Sequence, residues 1–480
     1  MSFEFSLKRK VFFLGFAVVF KLLLLFLFVS GTIEKAYFDG FWGDFSYDTH
    51  GYLDPIDHYL DRGSYNPHYR MPGYGFWYGL FLIVFPNVWA LNFLILFQAI
   101  CSGIGVYLLS VLGAKVTGSK AVFLTSYVLL LGTTYTSWYD HYLMSESLTI
   151  SFLIFSVYFF FRAFEKSSVW NLIFSGLIFA NLIFIRPVFL PVGGVFIFLV
   201  FWRFHYSIPK ILRFCILFFI PFLILDGIWI YSGYKKFKKI IPLQESFLGP
   251  TQSNVFYEPA FWFIQSWGGN YLWWDPGAEI RYFGVGTDNL EYFDKEKIQF
   301  PEKIFTSRYN FDSLSVASER LKDLKVNKDL FSITEFNRKS EIIYDSFSRF
   351  SKSIQDEKPF LYQVEARISL IRQFFFTTKI RNPFYGLEFP IRDQLIRLKS
   401  FMYLITLVLG YLSAIILLAF TKKKPIYLII SGIIWYTLLI HPILLRVIEN
   451  RYLMPSYPFI SLAIVLVVFE LKNSLKLAKK

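Results

Sequence analysis

The sequence predicts an all-α protein that crosses a membrane many times. Apolar runs recur along the 480 residues, each close to the roughly 20 residues that a helix needs to cross the hydrocarbon core. Only 18% of the residues are charged, whereas soluble domains carry about 25%. Because a backbone in lipid must satisfy its own polar groups, helices are the expected spanning elements.

The apolar runs also set the positions of these helices. They predict about ten spans, and at most about thirteen, with boundaries good to a few residues. In chain order the ten spans are residues 11–31, 88–112, 119–138, 143–162, 169–185, 188–204, 211–231, 400–420, 426–445 and 453–471.

The distribution of Lys and Arg predicts the orientation in the membrane. Cytoplasmic loops carry an excess of these residues. With the N-terminus inside, the cytoplasmic ends hold seventeen Lys and Arg against only Glu4, Glu165 and Glu470. Both termini are then cytoplasmic, and the long segments 32–87 and 232–398 lie on the exterior side.

This topology predicts three parts of the chain. Residues 1–231 form an N-terminal transmembrane module that includes the first exterior loop, and residues 399–480 supply the C-terminal helices. Between them, segment 232–398 has the charge balance of a soluble domain, with 24 Lys and Arg and 21 Asp and Glu. Apolar residues at helical spacing between Asp312 and Thr377 predict that it is mainly helical.

The aromatic residues, the cysteines and the charge distribution limit which binding sites and partners the sequence predicts. The tryptophans of the exterior segment favour an interfacial belt over sugar stacking; they are Trp262, Trp267, Trp273 and Trp274. Cys101 and Cys215 both fall in apolar runs, which excludes a disulfide framework or a cysteine-based metal site. The net charge of +14 is spread over short loops without a basic stripe, so we expect no nucleic-acid partner.

The first exterior loop has the most unusual local composition. Seven of the 35 acidic residues lie in it, among aromatic side chains that favour the bilayer interface; they are Glu34, Asp39, Asp44, Asp48, Asp54, Asp57 and Asp61. A carboxylate shielded by lipid and aromatic rings has a raised pKa, which suits a general base near neutral pH. The structural alternative is a solvated acidic loop.

The loop continues into the run His68–Tyr74 and an apolar stretch that ends at Phe85. This stretch is too short to span the bilayer comfortably, so we expect juxtamembrane helices in the first loop. Arg70 is suited to charge-assisted bonds with a lipid phosphate. Two other roles for Arg70 are equally favoured. It can form an ion pair with a carboxylate of the loop, or it can extend its guanidinium group into the polar interface of the bilayer.

Four blocks of sequence occur in order on the exterior side. They are Asp48–Leu53 with Leu60–Gly63, Arg70–Tyr74, Leu143–Leu148 with Ile185–Pro187, and Glu449–Pro455 with Pro458. Together these blocks resemble bacterial members of the GT-C glycosyltransferase superfamily, in particular relatives of protein O-mannosyltransferases and of the lipid A aminoarabinose transferase (families 39 and 83). Segment 232–398 matches no motif of this superfamily.

The resemblance implies a fold and an activity. The fold is a GT-C-type helical bundle in the bacterial inner membrane, with its active site on the periplasmic side. The activity is inverting transfer of a sugar from a polyprenyl-phosphate donor to a glycan, lipid or protein acceptor. It implies Asp48 as the general base in preference to Asp44, which then assists, binds a cation or is a bystander. Arg70, Arg186 and Arg451 are the expected ligands of the donor phosphate.

Other residues of the exterior face are expected either to bind substrate or to hold the structure; they are Tyr52, Tyr74, Asp140, His141, Glu146, Glu449 and Tyr452. For Glu146 an ion pair with Arg186 is favoured. Asp140 and His141 with a first-loop Asp are candidates for a divalent cation site, but their spacing indicates no particular metal. Lys21 lies mid-span and requires a partner.

Two rival functions stay open. A flippase or transporter of lipid-linked saccharides would show broken helices in paired halves, and the sequence contains no such pairing. An O-antigen ligase or polymerase would use a lipid-diphosphate oligosaccharide, and only the chemistry of the donor distinguishes it.

Overall fold

The computed structural model describes residues 5–30, 40–46, 48–63, 70–244, 257–271, 282–283, 300–376 and 391–478. These residues are 83% helical and contain no β-strand, which confirms the all-α prediction for them. Several residues singled out from the sequence lie outside this part of the chain; they are Glu34, Asp39, His68, Trp273 and Trp274.

The helices have the following bounds. They are α1 Leu7–Val29, α2 Thr49–Arg62, α3 Gly73–Leu82, α4 Asn87–Thr117, α5 Lys120–Gly132, α6 Thr134–Ser137, α7 Ser145–Lys166, α8 Val169–Ile185, α9 Val192–Phe204, α10 Ile208–Phe237, α11 Tyr257–Gln265, α12 Phe311–Val326, α13 Ile333–Glu357, α14 Ala366–Phe376, α15 Ile391–Ala419, α16 Ile426–Leu438 and α17 Tyr457–Ala478. Two π-helical segments, Leu361–Glu365 and Leu439–Leu445, precede α14 and follow α16. Short 3-10 turns include Trp138–His141 and Asn450–Ser456.

Eight helical segments in the described residues are long and apolar enough to cross a membrane, so the chain is a multi-pass membrane protein. They correspond to eight of the ten predicted spans. The other two predicted spans are shorter helices: α5 has 13 residues and α8 has 17. Helix α5 ends early because Thr133 adopts an extended conformation, and a one-turn helix follows.

The structure divides into two compact units. The first comprises Met1–Glu245, Thr378–Thr437 and Asn450–Lys480, and the second comprises Ser246–Thr377 and Leu438–Glu449. In the first unit α4 is central and packs against α1, α3, α5, α7 and α17. The second unit thus includes a late segment that the predicted part 232–398 does not contain.

Helices α2 and α3 follow the first span, where juxtamembrane helices are expected. Helix α3 packs on α2, α4 and α8. The contact with α8 requires a glycine, because a Cβ added at Gly73 would lie 2.3 Å from the carbonyl carbon of Phe184. This close approach brings the start of α3 against the end of α8, where Arg186 follows.

The second unit has its own hydrophobic core. Helix α11 packs along α13, and α12 packs on α13. Buried residues of these helices include Phe261, Phe263, Leu321, Phe347 and Phe350. Trp262 and Trp267 pack against this core, so these two tryptophans contribute to packing within the unit.

Candidate functional site

A carboxylate of the loop between α1 and α2 lies between two arginines from distant parts of the chain. Asp48 accepts a hydrogen bond from Arg70 at 2.6 Å on one oxygen and from Arg451 at 2.5 Å on the other. All three side chains are partly buried. Both oxygens of the carboxylate are therefore engaged by charged donors, the strongest class of hydrogen bond in proteins.

Local backbone structure explains how these three residues meet. Asp48 occupies the N-cap position of α2, but its side chain makes no capping hydrogen bond. The carboxylate turns instead to the arginines. Arg70 stands just before α3, and Arg451 lies in the 3-10 turn that leads into α17. All three residues belong to the first compact unit.

A second ion pair lies beside the first. Arg186, the C-cap of α8, donates to Glu146 and, at 2.8 Å, to the Ser145 hydroxyl at the start of α7. Arg451 connects the two pairs, since its Nε is 3.8 Å from the same Glu146 oxygen. Glu146 is fully buried, and within the described residues its other oxygen, Oε2, has no hydrogen-bond partner. One acceptor atom of the cluster is thus still unused.

Two tyrosines cover the arginines. The Arg70 guanidinium lies 4.1 Å from the ring centre of Tyr52, whose hydroxyl is 2.9 Å from that of Ser145. Tyr452 faces both Arg451, at 5.3 Å, and Arg186, at 5.8 Å. Cation–π contacts of this kind hold guanidinium groups in place without neutralising them.

The charges of this cluster do not balance. We define the arginine–carboxylate cluster as Asp48, Arg70, Glu146, Arg186 and Arg451; it carries three positive and two negative formal charges. Burial raises the pKa of the Asp48 carboxyl, but Arg451 and Arg70 together lower the pKa by more, so it lies below its ordinary range. The cluster therefore has an excess positive charge, and its most exposed carboxylate is fully ionised near neutral pH.

No family model, curated protein or solved structure matches this chain.

The other candidates near this face have structural partners. Asp140 is buried, lies 3.5 Å from the Lys21 ammonium and accepts a hydrogen bond from Ser147 at 2.7 Å. His141 stacks on Phe28, with ring centres 4.3 Å apart. No group of three or more His, Cys, Asp or Glu side chains in the described residues is arranged to hold a metal ion.

Tyr74 and Asp44 help to hold the loops around the cluster. The Tyr74 hydroxyl donates to Gln98 at 2.7 Å, and the Gln98 amide in turn donates to the carbonyl oxygens of Asp140 and Tyr142. Asp44 pairs through its backbone with the same loop: its N–H donates to His141 and its carbonyl accepts from Leu143. The loop between α1 and α2 is thereby held against the segment before α7.

Glu449 is placed in the second unit, at the end of the segment that follows α16, and its side chain is partly buried. Of the residues that the sequence singles out, the structure thus joins Asp48, Arg70, Arg186, Arg451 and Glu146 directly.

Ser145 and Gln98 are parts of this site that sequence reasoning missed. Ser145 contacts both Arg186 and Tyr52. Its position beside Glu146 at the start of a span was the available signal, because Ser is favoured at helix starts, where its hydroxyl forms local hydrogen bonds. Gln98 had a weaker signal, as a lone amide within an apolar run, where a buried polar group requires hydrogen-bond partners.

Proposed function

We propose that this protein is a membrane glycosyltransferase that uses a polyprenyl-phosphate sugar at the exterior face of the bacterial inner membrane. The observation that carries the proposal is the arginine–carboxylate cluster. Three guanidinium groups meet there on two carboxylates. Arg70 and Arg451 both pair with Asp48. Arg186 pairs with Glu146, and the Nε of Arg451 lies 3.8 Å from the same Glu146 oxygen. Arginine is the residue best suited to bind a phosphate group through paired N–H donors.

The charge of the cluster fits such a donor. A sugar linked through one phosphate to a lipid is a phosphodiester with one negative charge, and this charge balances the one excess positive charge. A diphosphate donor carries more negative charge than the single excess positive charge of the cluster can balance. The phosphodiester therefore suits the cluster better than the donor of an O-antigen ligase.

Donor binding and activation of the base are coupled in this scheme. Donor phosphate oxygens compete with the Asp48 carboxylate for Arg70 and Arg451. When the arginines turn to the phosphate, Asp48 loses two charge-assisted hydrogen bonds and its pKa rises. The carboxylate becomes a better base only when a donor is present.

Transfer then follows by in-line displacement. Asp48 accepts the proton of an acceptor hydroxyl or amine while the acceptor atom forms a bond to the anomeric carbon. The bond between that carbon and the phosphate oxygen breaks, and polyprenyl phosphate leaves with the bonding electron pair. Attack from the opposite face inverts the configuration. Arg70, Arg186 and Arg451 stabilise the charge that develops on the phosphate.

Glu146 has a separate role in this scheme. Its ion pair fixes the direction of the Arg186 guanidinium, and its second oxygen accepts a hydrogen bond from a hydroxyl group of the donor sugar. The rings of Tyr52 and Tyr452 position the guanidinium groups of Arg70 and Arg451. These roles place binding energy around the reacting carbon, where positioning lowers the barrier most.

The test uses full-length protein in lipid nanodiscs with a panel of polyprenyl-phosphate sugars and a native acceptor extract. Mass spectrometry follows the release of polyprenyl phosphate. We expect release by wild type, loss in Asp48→Asn and full activity in Asp54→Asn, a matched control on the exposed side of α2. Binding of donors without any release, in wild type as in Asp48→Asn, would reject the enzyme and favour a transporter.

A further inference from the structure

The second unit contains a buried cation, Arg446, that no carboxylate among the described residues neutralises. Arg446 follows the π-helical segment Leu439–Leu445 and adopts a left-handed conformation, with φ of 55°. Its side chain is almost completely buried, since the residue is 3% exposed. A non-glycine residue in this conformation is strained, and such strain occurs preferentially at functional positions.

Arg446 contacts two aromatic side chains and shares a side-chain hydrogen bond with one of them, Tyr362. Its guanidinium lies 4.3 Å from the ring centre of Tyr362 and 5.9 Å from that of Trp262. Across the described residues Arg446 forms no ion pair, and its Nη1 atom has no hydrogen-bond partner. A buried charge of this kind is costly unless a partner satisfies it.

A second arginine increases this cost. Arg367 donates to the carbonyl oxygen of Tyr362 at 2.6 Å and lies 5.7 Å from the same ring. Burial lowers the pKa of Arg446, the Tyr362 side chain raises it, and the charge of Arg367 lowers it again. Two guanidinium groups thus approach one tyrosine ring, and no anion in the described residues offsets the repulsion between their charges.

Helix α11 adds further unsatisfied polar groups. It carries Trp262 and, one turn later, Gln265, which is fully buried. In the part of the chain that the structure describes, neither the amide nitrogen nor the amide oxygen of Gln265 has a hydrogen-bond partner, and the same holds for the indole nitrogen of Trp267. Buried polar atoms without partners are rare in folded proteins, and each one requires an explanation.

We infer that Arg446, with the aromatic side chains of Tyr362 and Trp262, forms an oxyanion-binding site in the second unit, which takes the phosphate or carboxylate group of a saccharide. An oxyanion supplies the acceptor atoms that Nη1 lacks. Aromatic faces are suited to stack against a sugar ring. As a site for the acceptor, this inference rests on the proposed transferase function; as an anion site, it stands without it.

The experiment measures binding to full-length protein in nanodiscs by isothermal titration. The probes are glucuronate, glucose 6-phosphate and neutral glucose, which separate a carboxylate, a phosphate and the absence of charge. Each is titrated into wild type, Arg446→Gln and Arg451→Gln, because the arginine–carboxylate cluster also attracts anions. The matched control is Arg349→Gln, which removes an exposed arginine of the same unit.

We expect at least one charged probe, but not glucose, to bind wild type and Arg451→Gln. Arg446→Gln is expected to bind that probe about 10 to 100 times more weakly, because charge-assisted hydrogen bonds contribute roughly 1.5–3 kcal/mol. Arg446→Lys keeps the charge but loses the forked donor and is expected to be intermediate. Equal binding by wild type, Arg446→Gln and Arg446→Lys would overturn the site.

A stability measurement decides the question independently of binding. If Arg446 serves to bind an anion, Arg446→Met removes an uncompensated buried charge and raises the melting temperature of the ligand-free protein. A structural arginine gives the opposite result, since its loss would then lower the melting temperature. Neither outcome depends on sugar transfer, so failure of the oxyanion site and failure of the proposed transferase function are distinguishable.

Discussion

Arg451 donates a hydrogen bond to Asp48 across 403 positions of sequence. The contact joins the loop after α1 to the turn before α17, and it places the more exposed carboxylate of the cluster between two guanidinium groups. In this state Asp48 is a counter-ion. Its proposed role as a base requires that another anion, such as the donor phosphate, bind the arginines in its place.

Asp48→Asn is expected to separate donor binding from turnover. The variant removes the base, which lowers kcat by about 10² to 10⁴. It also removes the competitor for Arg70 and Arg451, so the donor binds more tightly than it does to wild type. Single-turnover assays and equilibrium donor binding measure the two effects. Weaker donor binding in Asp48→Asn would contradict the exchange.

The pH dependence follows from the same contact. The pKa of Asp48 lies below its ordinary range in the free protein, so the acid limb of kcat/KM is set at low pH. In the donor complex the arginines leave and the pKa rises, so the acid limb of kcat is expected at higher pH. Coincident limbs would mean that Asp48 keeps its arginines during the reaction.

Asp48 also affects stability at low pH. A carboxyl with a depressed pKa in the folded state stabilises the protein above its unfolded pKa of about 4, and this stabilisation is lost as the pH falls through the folded value. Below about pH 4 the melting temperature of wild type is therefore expected to fall more steeply than that of Asp48→Asn. Parallel melting curves for the two proteins would contradict the depressed pKa.

Arg186→Gln is expected to destabilise the first unit by about 3 kcal/mol, because it leaves the buried Glu146 carboxylate with only the more distant Arg451. The double variant Arg186→Gln with Glu146→Gln removes both charges and should recover part of this loss. Chemical denaturation of the four members of the cycle measures the coupling. Additive effects would show that the two side chains act separately.

The pair of Lys21 and Asp140 is expected to be structural. Lys21→Met leaves Asp140 buried without its cation and should cost about 3 kcal/mol, whereas Lys21→Met combined with Asp140→Asn should recover most of the stability. Melting temperature and donor turnover are measured together. If Asp140→Asn abolishes turnover while the melting temperature is unchanged, Asp140 belongs to the chemistry instead.

Gly73→Ala tests the packing that positions Arg70. The added Cβ would lie 2.3 Å from the carbonyl carbon of Phe184, a contact that backbone atoms do not relieve cheaply, so α3 must move away from α8. We expect loss of donor turnover with a lower melting temperature. Gly15→Ala is the control, since its Cβ would meet no atom within 4 Å.

The sequence by itself determined the class of this protein. Apolar runs near the thickness of a bilayer required helices that span it, and eight of them are present at the predicted places. This information is local, since each span depends on the composition of its own residues. The same local signal was less decisive at two places: an extended Thr133 ends α5 before the predicted boundary, and α8 has its predicted bounds but only 17 residues.

Only the tertiary structure decided which charges meet. The sequence marked Asp48, Arg70 and Arg451 as candidates, but the pairing of all three depends on how α2, α3 and α17 pack, which no local pattern encodes. The partner of Lys21 was equally hidden, because Asp140 lies 119 positions away. A buried charge must find a partner wherever the packed helices bring one; composition shows that the need exists, and only the packing shows which residue meets it.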